Sequence, residues 1–243
     1  MERSGIQGYA CGTGSPAPGA RLSAMKTIES MIAEVESEVR MTADTLGFDH
    51  LSPAVLAALR AVPRHAFVPP EDRDLAYANH PLPIGKGQTI SQPYIVAIMS
   101  QLLGLAAGER VLELGTGCGY QAAVLAAMGL EVYTIEIVSE LAQLARRTLA
   151  GLGYDQVQVR AGDAWDGWPE AAPFAGIIVT AAAPRLPDPL IEQLKPGGRL
   201  VIPLGGVYEI QELAVYEKDA AGAIRGRGVL PVRFVPVTGR LGR

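Results

Sequence analysis

Glycines and acidic residues follow short apolar segments in a pattern that suits a nucleotide-like ligand. The segment Val111–Leu114 runs directly into Gly115-Thr-Gly-Cys-Gly119. Glycines at such a place let the backbone turn sharply and expose main-chain N–H groups to a ligand at the start of a helix. The next apolar segment ends on Glu136. A carboxylate there, about 20 residues beyond the loop, can accept hydrogen bonds from both ribose hydroxyls of an adenosine.

The spacing of the glycines distinguishes between two ligand classes. The dinucleotide-binding fingerprint requires glycine at the sixth position of the loop, where this chain has Tyr120. The order G-x-G-x-G behind an acidic residue instead resembles S-adenosylmethionine-dependent methyltransferases of the doubly wound fold. Gly162-Asp163 ends a third apolar segment and places another acid at the same sheet edge. The alternative is a sheet whose acids merely cap helices.

Glu113 lies inside an otherwise apolar strand, where an unpaired acid is costly to bury. We therefore expect its carboxylate to face the ammonium group of a methionine moiety. The alternative is a solvated position at the edge of the sheet.

Alternating strands and helices must position these residues, because the pattern after Gly108 switches regularly between the two. Short Val- and Ile-rich strands separated by helices predict right-handed βαβ units and a parallel sheet that is covered on both faces. The expected strands are Arg110–Leu114, Glu131–Glu136, Gln156–Arg160, Ala175–Thr180 and Arg199–Leu204, with helices Tyr120–Met128, Ser139–Leu149 and Pro189–Leu194. A C-terminal β extension follows, with strands Glu212–Tyr216, Ile224–Val229 and Val232–Val237.

Three units describe the organisation of the chain. Residues 1–24 are rich in Gly, Ser, Ala and Pro, and we expect a disordered tail there. Residues 25–106 form a helical and loop region, with predicted helices over Lys26–Leu46, over Ala54–Ala61 behind a Ser52 N-cap, and over Tyr94–Leu103. Residues 107–243 form the Rossmann-like core, and 25–243 should act as one domain. The fold class is α/β.

Composition and missing motifs exclude several functions. The 243 residues carry a net charge of −4, which argues against nonspecific binding to nucleic acid through a basic face. Two cysteines suit a reducing cytosol and cannot build a four-ligand zinc site, and we expect no metal. Residues 1–24 contain no apolar stretch of the kind a secretory signal needs, and no apolar run in the sequence is long enough to span a membrane, so we expect neither feature. It also has no G-x-S-x-G, H-E-x-x-H or C-x-x-C motif.

Separate motifs across most of the chain carry a resemblance to one family. Gly87-Gln-Thr-Ile-Ser-Gln-Pro-Tyr94 resembles the signature that precedes the nucleotide fold in protein-L-isoaspartate O-methyltransferases, close to the bacterial form. Matching segments follow in the same order from about residue 28 to 238, and they include Val62-Pro-Arg64, Leu112–Tyr120, Ile177–Pro184, Leu190–Gly198 and Phe234–Val237.

The resemblance implies methyl transfer from S-adenosylmethionine to the α-carboxylate of L-isoaspartyl residues, and more weakly of D-aspartyl residues, in damaged proteins. The methyl ester then collapses to a succinimide, whose hydrolysis returns part of it to L-aspartate. By resemblance, Ser91 is the catalytic residue, and it binds substrate together with Val237 and Thr238. The cofactor-binding residues implied are Gln88, Thr89, Ile90, Glu113, Gly115, Thr116, Gly117, Gly119, Glu136, Gly162, Asp163 and Ala164. We expect a cytoplasmic monomer that binds neither nucleic acid nor membrane.

Three points stay open at this level. Ser91 could instead be the N-cap of the helix that starts near Tyr94. Ala164 stands where the family usually has glycine, and its methyl group would matter if that position needs a positive φ. The alternative functions are a methyltransferase acting on a small molecule or RNA, and a noncatalytic module that binds S-adenosylmethionine.

Overall fold

A computed structural model describes residues 26–206 and 209–242 of the protein. The tail predicted to be disordered, residues 1–24, lies outside the described residues. The helices are α1 Ile28–Met41, α2 Ala43–Leu46, α3 Pro53–Ala61, α4 Pro93–Leu103, α5 Tyr120–Ala127, α6 Ser139–Gly151 and α7 Asp188–Glu192. The strands are β1 Leu82–Gly85, β2 Gln88–Ile90, β3 Arg110–Leu114, β4 Glu131–Glu136, β5 Gln158–Ala161, β6 Phe174–Val179, β7 Leu194–Leu204, β8 Gln211–Lys218 and β9 Ile224–Val232.

A seven-stranded sheet in the order β5-β4-β3-β6-β7-β8-β9 forms the centre of the fold. The first five strands in this order, β5-β4-β3-β6-β7, pair in parallel, and β8 and β9 add an antiparallel extension. The chain runs from β3 outward to β5 and then crosses back to β6 on the other side of β3. The carboxyl ends of β3 and β6 therefore flank the crevice in which open α/β sheets bind their ligands. This confirms the predicted doubly wound, mostly parallel sheet.

The central strands β3 and β6 are buried on both faces, as their composition predicts, whereas β5 and most of β9 at the sheet edges are more exposed. Ile178 in β6 belongs to the core cluster that packs against α3, α4 and α5. Its neighbours Ile177 and Val179 belong to a second cluster on the opposite face. Side chains alternate between the faces of a strand, and full burial of an Ile or Val stabilises the fold by about 1.5–3 kcal/mol.

The first predicted helix is interrupted near its C-terminal end. α1 ends at Met41 and the short α2 follows after Thr42, so one continuous helix over Lys26–Leu46 was wrong. The Thr42 hydroxyl donates to the Glu38 carbonyl at 2.8 Å, a local side-chain bond that competes with helix continuation. The Ser52 N-cap is confirmed, because its hydroxyl accepts from the Val55 N–H.

The last predicted strand, Val232–Val237, was also wrong. β9 runs through to Val232, and among residues 233–242 Pro236 alone forms a bridge, an isolated one with Ala182. The Ala182 N–H donates to the Val235 carbonyl and the Val237 N–H donates to the Ala182 carbonyl, both at 2.9 Å. The segment is therefore tied to the loop after β6, and Pro236 has no N–H with which to join a ladder. Smaller corrections move β5 two residues later and start β7 at Leu194.

The chain between residues 81 and 93 forms the short strands β1 and β2. These strands form a tight antiparallel hairpin, and α4 begins three residues after β2 ends. The hairpin therefore delivers Ser91 to the sheet edge. No helix in the described part of the chain has the length and apolarity needed to cross a membrane.

Candidate active site

A cavity lies at the carboxyl ends of β3, β4 and β6, and we call it the inner cavity. Its walls come from the β2–α4 loop, the glycine loop, the ends of β4 and β6, and the segment 235–238. Twelve of the fifteen predicted site residues line it: Gln88, Thr89, Ile90, Ser91, Glu113, Gly115, Thr116, Gly117, Glu136, Ala164, Val237 and Thr238. Gly119, Gly162 and Asp163 do not line it.

The glycine loop adopts a backbone that other residues avoid. Gly115, Gly117 and Gly119 have φ values of 96°, 54° and 94°. A Cβ on Gly115 would also lie 2.5 Å from the hydroxyl oxygen of Thr180, so the loop and the end of β6 approach too closely for any side chain. A Cβ on Gly119 would instead contact Leu149 of α6, so Gly119 permits packing rather than forming the cavity wall.

Glu136 is held at the end of β4 by two main-chain donors. Its Oε2 accepts from the Gly117 N–H at 2.7 Å and its Oε1 accepts from the Val138 N–H at 2.9 Å. The carboxylate is buried at the cavity wall and joined directly to the glycine loop. Each oxygen retains a free lone pair, so the two carboxylate oxygens can still accept hydrogen bonds from a vicinal diol.

Glu113 is fully buried at the floor of the cavity. None of the described residues donates a hydrogen bond to either of its oxygens. Burial raises the pKa of Glu113 to about 8; nearby Thr134 opposes the shift and the charge of Glu136 adds to it. The solvated edge position considered from the sequence is therefore wrong. An orphaned buried acid costs about 1–3 kcal/mol, which a cation entering the cavity would relieve.

Ser91 is half-buried between β2 and α4. The N-cap residue of α4 is Gln92, whose own side chain makes no capping hydrogen bond. The alternative in which Ser91 serves as the helix N-cap is therefore wrong, and its hydroxyl is not used for capping.

Asp163 is bonded to the chain's own C-terminal segment. Its Oδ1 accepts from the Trp165 N–H and its Oδ2 from the Arg240 N–H, each at 2.9 Å. The approach is close, because a Cβ on Gly239 would lie 2.6 Å from that same Oδ2. Asp163 is therefore bonded to residues that directly follow the cavity-lining segment 235–238, and a role in binding a ligand stays a prediction.

Ala164 lines the cavity without backbone strain. Within residues 26–206 and 209–242, Lys86 is the single non-glycine residue with a positive φ. The concern about an alanine in place of glycine therefore does not apply to its backbone.

A second cavity of about 300 Å³, the outer groove, adjoins the first. Its walls are formed by α1, the start of α4 and residues 230–235. Four residues line both spaces: Thr89, Ser91, Thr180 and Val235. Ser91 therefore stands at the junction of the two spaces.

Sequence reasoning missed two residues beside the cavity. The Thr180 hydroxyl donates to the Gly115 carbonyl at 2.6 Å and so fixes the glycine loop. Its position at the end of β6 could have identified it from the sequence.

Arg64 is fully buried, with its Nε donating to the Ala76 carbonyl and its guanidinium 4.9 Å from the centre of the Tyr120 ring. Burial lowers the pKa of Arg64 and raises that of Tyr120 to about 12.

Comparison with known proteins gives consistent matches. The profile of the family "Protein-L-isoaspartate(D-aspartate) O-methyltransferase (PCMT)" matches residues 45–242. Protein-L-isoaspartate O-methyltransferase 2 of Syntrophobacter fumaroxidans is 54% identical over 209 residues, which cover 86% of this chain and 85% of that protein. The Gloeobacter violaceus protein-L-isoaspartate O-methyltransferase is 57% identical, over 76% of this chain and 90% of that protein. A solved protein-L-isoaspartate O-methyltransferase superposes with a TM-score of 0.73 at 28% identity, covering 85% of this chain and 67% of the other.

Proposed function

The chain belongs to the protein-L-isoaspartate(D-aspartate) O-methyltransferase family, and from this premise we propose how its own residues perform the reaction. The protein is an S-adenosylmethionine-dependent enzyme that methylates the α-carboxylate of L-isoaspartyl residues, and more weakly of D-aspartyl residues, in damaged proteins. The observation that carries the assignment of roles is the junction of the inner cavity and the outer groove at Ser91.

The inner cavity has the groups that the cofactor requires. Glu136 accepts from the ribose hydroxyls, and the glycine loop offers main-chain N–H groups. Glu113 faces the ammonium group of the methionine moiety, which supplies the cation that this orphaned carboxylate lacks. S-adenosylmethionine, when bound, provides a methyl group on a positively charged sulfur.

The acceptor needs no general base. A carboxylate with an ordinary pKa near 4 is already ionised at neutral pH and is therefore the nucleophile as delivered. The protein must place that carboxylate in line with the methyl group and exclude water from it. The Ser91 hydroxyl donates one hydrogen bond to the carboxylate, which orients it without the ground-state attraction that a lysine would add. Main-chain N–H groups of residues 88–91, Val235 and Thr238 assist it.

The product is a methyl ester next to a backbone amide. It collapses to a succinimide without further help from the enzyme, and hydrolysis of the succinimide returns part of the material to L-aspartate. The enzyme thereby initiates repair.

Several finer assignments belong to the same proposal. Residues 25–243 act as one domain, in which the region 25–106 carries the substrate loop on a core formed by 107–243. The remaining predicted residues, Gly119, Gly162 and Asp163, support the cofactor from behind the cavity wall. The protein works as a cytoplasmic monomer on isoaspartyl-containing proteins, and it uses neither nucleic acid nor a membrane as a partner.

One assay tests the substrate class. Tritiated S-adenosylmethionine is offered with two peptides that differ only in isoaspartate or aspartate at one position. We expect label in the isoaspartyl peptide alone, as a base-labile ester. Label transferred to RNA or to neither peptide, despite cofactor binding measured by calorimetry, would contradict the proposal.

A further inference from the structure

Helix α1 contributes one carboxylate to the wall of the outer groove. Glu38, in the last turn of α1, is half-buried and lines the groove together with Ser91 and Gln92. It is 54 residues away from Gln92 along the chain. The reaction as described above does not use it.

Two amide groups converge on this carboxylate. Oε2 of Glu38 accepts from Asn79 Nδ2 at 2.8 Å and from Gln92 Nε2 at 3.1 Å. Asn79 Oδ1 in turn accepts from the Tyr94 N–H at 3.0 Å. We call these three side chains, Glu38, Asn79 and Gln92, the Glu38 clamp. The clamp holds two positions of the chain immediately after Ser91.

The start of α4 depends on this clamp because it has no cap of its own. Gln92 occupies the N-cap position but makes no capping bond, and Pro93 has no N–H to offer. The Tyr94 N–H would be an orphan donor of the first turn if Asn79 did not accept it. The side chain of Tyr94 is held as well, because its hydroxyl lies 2.8 Å from the hydroxyl of Thr42, the residue that follows α1. Contacts from α1 and residue 79 therefore fix the chain that follows Ser91.

We propose that Glu38 is a positioning residue for methyl transfer, which holds Gln92 and, through Asn79, Tyr94 so that the Ser91 hydroxyl stays at the junction of the two cavities. This inference rests on the proposed function of Ser91. A carboxylate suits the task because it accepts from both amides and because charge-assisted hydrogen bonds are the stronger kind. In a glutamine at this position neither hydrogen bond would be charge-assisted, and an NH₂ group would replace Oε1, which lies 3.5 Å from the donor Gln92 Nε2.

The location of the clamp separates its effect from cofactor binding. Glu38, Gln92 and Tyr94 line the outer groove but not the inner cavity. Loosening the clamp should therefore misplace Ser91 and leave the cofactor contacts of Glu113 and Glu136 unchanged.

The test compares Glu38→Gln and Glu38→Ala with Glu36→Gln, a matched change on the same helix that touches no part of the clamp. The measurements are kcat and KM with an isoaspartyl hexapeptide, the Kd of S-adenosylhomocysteine by calorimetry, and the thermal midpoint. We expect Glu38→Gln to lower kcat about tenfold, because small misplacements of an orienting group are expensive. The Kd should stay within about twofold of wild type, as for changes at independent sites. If Glu38→Ala fails to fold, Gln92→Ala replaces it in the comparison. This change removes the hydrogen bond between Gln92 and Glu38 and should also lower kcat.

A double-mutant cycle with Ser91→Ala distinguishes positioning from a general structural role. If Glu38 acts through Ser91, Glu38→Gln should lower kcat by less than about twofold in the Ser91→Ala background. The inference is overturned if Glu38→Gln is as active as Glu36→Gln, if its full effect persists without the Ser91 hydroxyl, or if cofactor affinity falls in parallel. A wild-type enzyme that leaves the isoaspartyl peptide unmethylated would instead contradict the proposed function.

Discussion

The inner cavity and the outer groove meet at Ser91 but are built in different ways. The inner cavity is made at strand ends, where left-handed glycines and main-chain N–H groups hold Glu136. The outer groove is made by side chains from segments far apart in the sequence, with Glu38 of α1 bonded to Asn79 and Gln92. The first construction is specified by a local pattern of residue types. The second exists only after the helices have packed.

The two spaces also differ in how they treat charge. The inner cavity contains a carboxyl group without a partner, Glu113, whereas the Glu38 carboxylate at the outer groove is satisfied by two amides. An unsatisfied buried group is expensive unless a ligand completes it. A ligand cation would therefore satisfy Glu113 in the inner cavity. The carboxylate of Glu38 needs no ligand, because its hydrogen bonds lie within the groove wall.

The largest expected effect lies at the junction itself. Ser91→Ala should lower kcat on an isoaspartyl peptide about 10²- to 10³-fold, the usual result of removing one orienting donor from a reacting centre. The Kd of S-adenosylhomocysteine should stay nearly unchanged, since the hydroxyl serves the acceptor. Ser37→Ala, on the exposed side of α1, is the control. Equal losses of turnover and cofactor affinity would contradict the assignment of the Ser91 hydroxyl to the acceptor alone.

Glu136→Ala should affect the inner cavity alone. We expect cofactor binding to weaken by about 1.5–3 kcal/mol, the value of charge-assisted hydrogen bonds, while kcat at saturating cofactor changes little. Calorimetric titration with S-adenosylhomocysteine measures the change. Glu140→Ala removes a surface acid whose partner is Lys86 and serves as the matched control. An unchanged Kd would remove Glu136 from the site.

Glu113 predicts a pH dependence of cofactor binding. With its pKa raised to about 8, Glu113 is protonated in the free protein at neutral pH, and the incoming ammonium group must displace that proton. Affinity should therefore rise towards pH 8 by up to about tenfold per pH unit, with a proton released on binding. Calorimetry in buffers of different ionisation enthalpy counts the proton. Glu113→Gln should abolish the release, and a pH-independent Kd in the wild type would contradict this reading.

The same group predicts the pH dependence of stability in the free protein. Its folded-state pKa lies above the unfolded value, so the folded state binds the proton more tightly. The resulting stabilisation is fully present below about pH 4.5 and is lost as the pH rises through about 8. Between pH 5 and 8 the free energy of unfolding should fall more in the wild type than in Glu113→Gln. Chemical denaturation of both proteins across this range measures the difference, and identical slopes would contradict the assignment.

The smallest expected effect is at Ala164. Its φ is not in the left-handed region, so glycine relieves no strain there. Ala164→Gly should leave cofactor affinity within about twofold and lower stability by about 0.5–1 kcal/mol, because glycine gains backbone freedom in the unfolded chain. Thermal unfolding and calorimetry measure the two quantities. A clear gain in affinity would mean that the alanine methyl group obstructs the cavity.

Prediction from sequence succeeded where the local pattern of residue types specifies the backbone conformation. The alternation of strands and helices predicted the parallel sheet, and the glycine loop with Glu136 predicted where the cavity lies. It failed where individual hydrogen bonds changed the path of the backbone. The Thr42 hydroxyl bonds back to the preceding turn and divides the first helix, and residues 235–237 pair with Ala182 instead of forming a strand.

Residue types and their spacing determined the fold class and the position of the glycine loop and Glu136, because strand periodicity and left-handed glycines express local energetics that need no distant partner. The family, and with it Ser91, Val237 and Thr238, came from the resemblance of whole motifs. Tertiary structure decided that Glu113 is orphaned, that Asp163 is bonded to the C-terminal segment, and that Glu38 reaches the chain beside Ser91. Burial and long-range hydrogen bonds depend on which segments meet in space, and no local pattern encodes that meeting.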